Sequence, residues 1–149
     1  MILKKWINEG RIQRHSTNKI EVENLFKLVD RDLKDSKIKQ LSTDRRFATA
    51  YNAALQLATI VLHAAGYRVK SNAGGHHWIT ILSFPEVMNI SQRKRANYFD
   101  ACRAKRNVTD YDRVGEISES DLKELLHEVA DFRKDVISWL LEYHPILIE

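Results

Sequence analysis

The feature that most constrains this chain is how rarely it can turn. Five glycines and two prolines occur in its 149 residues, at Gly10, Gly66, Gly74, Gly75, Pro85, Gly115 and Pro145. A β-sandwich needs turn residues every ~8–12 positions, so the long stretches between these seven exclude that class. What remains is helix. A hydrophobic share of 44% against 30% charged residues describes a chain able to bury a core rather than stay disordered. Its length suits a single domain spanning residues 1–149.

Hydrophobic spacing divides the chain. Residues 1–16 read as an amphipathic arm that packs Leu3, Trp6 and Ile7 on the main body. From about Thr17 to Lys39, Val22, Leu25, Phe26, Val29 and Leu33 recur at three- and four-residue spacing, the period of an amphipathic helix. Ser42-Thr43-Asp44 offers N-caps for a second helix whose buried side is marked by Phe47, Tyr51, Ala54, Ala58, Val61 and Leu62. Gly66 closes it in the position that favours glycine after a helix. Its many alanines imply close approach by neighbours, so this helix reads as central.

Residues 67–76 read as a mobile loop, followed by a short helix from His77 to Leu82 that stops before Pro85. Ser91 reads as the cap of a helix running to about Arg106 or Asn107, and 107–117 as a polar connection. Ser118 with Asp121 forms an acidic capping box ahead of a last helix carrying Leu122, Leu125, Val129, Phe132, Val136 and Leu140. That helix ends before Pro145. The expected fold is all-α, an antiparallel up-and-down bundle of four to five helices.

Several chemistries have no footing here. A lone Cys102 excludes an internal disulfide and a multi-cysteine metal site, and suits a reducing, cytoplasmic setting. No apolar run approaches the ~18 residues of a membrane span, and the start of the chain has no secretory h-region. Gly74-Gly75 lacks the Lys-Ser/Thr of a phosphate loop. His76 and His77 are adjacent with no Cys or Glu at ligand spacing, and His15, His63, His127 and His144 stand alone in helical patterns. The expectation is therefore no metal and no cofactor.

The net charge of +4 is mild, with pI about 9.2, but it is unevenly placed. Ser91–Asn107 holds six cations (Arg93, Lys94, Arg95, Arg103, Lys105, Arg106) and one acid, Asp100, a local surplus of 6 − 1 = +5. Such a cluster can track phosphates; the alternative is a solvated helix face. Arg95, Arg103 and Lys105 are the candidate RNA contacts, with His76 and His77 from the glycine loop. Phe99, Cys102 and Arg106 stand at i, i+3 and i+7 and share a face. Arg106 thus extends an apolar stripe with a permanent charge, which must be paired, for instance with Asp110 or an acid of the last helix, or must line a cleft.

The segment Arg106-Asn107-Val108-Thr109-Asp110-Tyr111 resembles the HEPN domain signature, an Arg, four to six residues, then His, with Asn, Asp or His favoured after the Arg. The stretches Asp44-Arg45-Arg46-Phe47-Ala48, Tyr51-Asn52-Ala53-Ala54-Leu55, Gly66-Tyr67-Arg68, Gly75-His76-His77 and Tyr98–Asn107 are similar to bacterial HEPN proteins in the same order, covering most of 17–143. The resemblance implies a helical homodimer acting on or binding RNA, with the signature near the subunit cleft. In active members the 2′-hydroxyl attacks the neighbouring phosphate without a metal. Arg106 would contact that phosphate, Asn107 would orient it or the nucleophile, and Tyr111 holds the His position. A phenol with pKa near ~10 is a poor general base at neutral pH, although it can donate a hydrogen bond or stack on a base. One of His76 and His77 could instead reach the Arg106 cleft. The resemblance thus implies a metal-independent endoribonuclease, toxin-like or part of a stress response. The alternative is a silent HEPN module binding nucleotide or a protein partner such as a nucleotidyltransferase antitoxin.

Overall fold

The computed structural model describes residues 2–70, 76–111 and 116–149, of 108–111 the backbone alone. The architecture is predominantly all-α, as the spacing of Gly and Pro predicts. Chain order is α1 (Ile2–Asn8), β1 (Ile12–Arg14), α2 (Lys19–Asp35), α3 (Thr43–Ala64), β2 (Tyr67–Val69), α4 (His76–Val87), α5 (Arg93–Tyr111) and α6 (Glu119–Tyr143). Short 3-10 turns at Ile90–Gln92 and Pro145–Leu147 precede α5 and follow α6.

The helix α3 is the hub, packing against α2, α4, α5 and α6. Its small residues allow this. Ala50, Ala53, Ala54 and Ala58 are wholly buried beside Phe47, Tyr51, Leu57, Ile60 and Val61. A helix apolar on most sides belongs in the interior. Around it, Phe84, Phe99 and Phe132 bring α4, α5 and α6 together with ring centroids 4.5–6.3 Å apart, tilted contacts that add ~0.5–1.5 kcal/mol each beyond area burial. A smaller cluster of Leu3, Trp6, Ile12, Leu62, Val69 and Ile79 attaches the N-terminal arm.

Local signals act where they stand in the chain. The Ser42 side chain accepts from the Arg45 N–H. Ser118 and Asp121 exchange both bonds of a capping box, and Gly66 ends α3 at φ +95°, a left-handed value that favours glycine.

Four boundaries differ from expectation. The arm contains β1, which pairs antiparallel with β2 through Ile12–Val69, Gln13–Arg68 and Arg14–Tyr67, so the segment read as a loop from residue 67 begins as a strand. Residues 71–75, including Gly74 and Gly75, lie outside the described residues. Helix α4 runs through Pro85 to Val87. The proline removes one backbone donor, but Ile81, Phe84 and Pro85 are buried and Met88 N–H still reaches the Phe84 carbonyl, at 2.8 Å. Ser91 sits within a 3-10 turn, and the cap there is Asn89, whose Oδ1 accepts from Ser91 N–H at 2.8 Å. Finally, α5 continues past Asn107 to Tyr111, where a polar connection is expected; Asp112 and Gly115 fall outside the described residues. Among the described residues no helix is long and apolar enough to cross a membrane.

Candidate functional site

The last turns of α5 bring Arg106 against the middle of α3. Its guanidinium carbon lies 5.6 Å from the centre of the Tyr51 ring, a cation–π distance. His77, in the first turn of α4, stands on the same tyrosine with ring centroids 6.1 Å apart. Three helices therefore converge on Tyr51. The sequence pattern places Tyr51 in the core, and it is fully buried. Its hydroxyl has no hydrogen-bond partner among the described residues. Buried polar atoms are nearly always satisfied, so this hydroxyl is an exception in the core beneath Arg106 and His77.

Burial and charge set the protonation states. Burial pushes the Tyr51 hydroxyl well above its ordinary value, against the opposing influence of Arg106 and Arg103. It stays neutral and keeps its proton to donate. His77 is held below its ordinary value by burial, then by Arg106, His76 and Arg103. Starting from ~6.5, a lowered His77 is a neutral imidazole at pH 7. The group thus combines a fixed positive charge, a neutral base and a neutral hydroxyl donor.

The other predicted contacts disperse. Arg95 points its charge at α6, 2.6 Å from Asp135 and 3.4 Å from Glu128, with the guanidinium over Phe132. Arg103 pairs with Asp100 at 2.8 Å and Lys105 with Asp121 at 2.8 Å. Arg93 meets Glu86 at 3.4 Å. The +5 surplus of the segment is therefore smaller in space, because α4 and α6 supply acids the local count omits. Asn107 follows Arg106 half-buried. Arg106 and Tyr111 lie on one helix, five residues and so about 140° apart around its axis; the side chains of Tyr111 and Asp110 lie outside the described residues. Phe99 and Cys102 are buried in the core, where burial pushes the Cys102 thiol up to about 11 and leaves it unreactive.

The adjacent histidines keep their rings 6.0 Å apart, edge to face, but meet different neighbours. His77 joins Tyr51, while His76 borders a cavity whose other walls include His15, Glu21 and His63. Tyr51 was invisible as a site residue because its spacing is that of any core aromatic; only the crossing of α5 over α3 reveals it.

Compared with known proteins, the chain matches no family model, and no curated protein or solved structure matches it.

Proposed function

We propose that the chain is an RNA-directed protein of the HEPN type, and that the Arg106–Tyr51–His77 group is its phosphate site. The observation that carries this reading is the meeting of the Arg106 guanidinium and the neutral His77 imidazole on one buried tyrosine. In this reading His77 takes the part that the signature gives to position 111.

The chemistry follows from the groups. Arg106 holds the phosphate between two nucleotides and stabilises the charge that grows on its non-bridging oxygens as the 2′-oxygen attacks. His77 accepts the proton of that 2′-hydroxyl, which a neutral imidazole can do and a neutral phenol cannot. The P–O bond to the 5′-oxygen breaks, the leaving oxygen takes a proton from solvent, and a 2′,3′-cyclic phosphate remains. Tyr51, fully buried, does not meet the phosphate; its ring is the platform that sets where Arg106 and His77 stand. Asn107 lies beside Arg106, whereas Arg103 and Lys105 would have to leave Asp100 and Asp121 to meet the strand.

A second reading, a silent module that binds nucleotide, RNA or a nucleotidyltransferase antitoxin, is favoured by the acid partners of Arg93, Arg95, Arg103 and Lys105 and by Tyr at position 111. Incubating the protein with mixed RNA in EDTA, alongside Arg106→Ala, separates the two. Cleavage lost in the variant supports the nuclease. RNA bound but left intact, with affinity lost in the variant, supports the silent module. Unchanged RNA affinity in Arg106→Ala removes this site from both.

A further inference from the structure

We propose that His15, Glu21 and His63 form a site for one divalent transition-metal ion, of which Zn²⁺ fits the donors best. The three residues come from separate elements and are brought together by the backbone. His15 follows β1 and donates its N–H to the carbonyl of Gly66 at 2.9 Å. Gly66 is also where α3 ends, three residues after His63, so the turn that stops α3 sets the two imidazoles side by side, with centroids 4.5 Å apart. Glu21 lies in the first turn of α2, its N–H held by the Asn18 side chain at 2.9 Å. None of this is legible in the sequence, where each histidine stands alone.

The donor atoms converge on a single oxygen. His15 Nε2 lies 2.7 Å from Glu21 Oε1 and His63 Nδ1 lies 2.8 Å from it. Thr17 donates its hydroxyl to the same oxygen, also at 2.7 Å. A carboxylate oxygen offers about two lone-pair directions, so three donors overfill it. His63 Nδ1 shows the consequence. It is buried and close to Glu21, yet makes no aligned hydrogen bond to any of the described residues. A cation among the three ligand atoms, which all lie within 4.8 Å of one another, resolves this crowding, because each imidazole nitrogen then presents a lone pair instead of a proton.

Two imidazoles and a carboxylate are ligands that Zn²⁺ accepts at ~2.0–2.3 Å, whereas Ca²⁺ and Mg²⁺ prefer oxygen alone. Tetrahedral bonds of ~2.0–2.1 Å place ligand atoms about 3.3 Å apart, so each nitrogen would move about half an ångström away from the Glu21 oxygen, now at 2.7 and 2.8 Å. Thr17 would remain as the group that orients the ligating carboxylate, a role such outer partners commonly play. Three protein ligands leave a fourth position open, the arrangement of reactive rather than closed structural zinc sites. That position opens on a cavity of about 310 Å³ bordered by Arg68, His76 and Thr80, polar walls suited to water or a small anion.

The test is a titration of the full chain, stripped with chelator and dialysed, with ZnCl₂ by calorimetry and with Co²⁺ by visible absorption. The expected result is one equivalent of either ion, with Mg²⁺ unable to displace it. His15→Ala and Glu21→Gln each lose that equivalent, and Thr17→Val weakens it by about 10–100-fold. His127→Ala, which removes the exposed His127–Asp131 pair, and Arg106→Ala both retain it, so the RNA site and the metal site can fail independently. Less than one equivalent bound by the wild-type chain overturns the proposal, as does undiminished binding by His15→Ala and Glu21→Gln.

Discussion

His76 and His77 are consecutive residues at the start of α4 with rings 6.0 Å apart, and they border different groups of charges. His77 stands on Tyr51 under the influence of Arg106 and Arg103. His76 borders a cavity holding a carboxylate and two further imidazoles. The first setting concentrates positive charge, which suits an anion. The second concentrates lone pairs around a negative charge, which suits a cation. The comparison teaches that residue type and sequence position alone do not assign a histidine. Which helix it is pressed against decides the sign of what it can bind.

The sharpest way to break this contrast is to remove the imidazole on the anion side. His77→Ala should lower single-turnover RNA cleavage by about 10²–10⁴-fold, the usual worth of a general base, while Tyr111→Phe stays near the wild-type rate; the reverse pattern returns the role to position 111. Arg106→Ala should lower the same rate by about 10²–10³-fold, and Arg106→Lys should recover little, because an ammonium cannot reproduce the planar guanidinium fork.

A smaller effect concerns pH. A neutral His77 acting as base makes cleavage rise with pH through a pKa below ~6.5. Arg103→Ala removes a positive charge that holds this pKa down, so the acid limb of the rate profile should move to higher pH. The shift is modest because Arg103 is already paired with Asp100. Smallest is the effect on stability. A His77 pKa lowered on folding contributes stability that is present above the unfolded value and lost as pH falls through the folded one. Urea unfolding at pH 7.5 and pH 5 should show this acid loss reduced in His77→Ala.

What was legible in the sequence was local. Ser42, Gly66 and the Ser118–Asp121 box mark helix ends because caps act within three or four residues. The apolar stripe of α6 persists over many turns, long enough for its period to be read. The β1–β2 pair was not legible, since three-residue strands carry no usable alternation and their pairing spans more than fifty residues. The passage of α4 through Pro85 depends on burial around Phe84, which no local rule contains. Within the candidate site, the basic run leading to Arg106 was plain, but the acids that answer it come from α4 and α6 as well as from α5 itself. Tyr51 and the His15–Glu21–His63 group required the helix crossings themselves.

The central claim is that an imidazole at position 77 acts on a phosphate held by Arg106, and chemical rescue tests it most directly. Cleavage of a single-site RNA by His77→Ala should be restored by free imidazole added to the solution, in proportion to its unprotonated fraction, with no such response from Arg106→Ala. A His77→Ala protein that cleaves as fast as wild type without added imidazole would contradict the account.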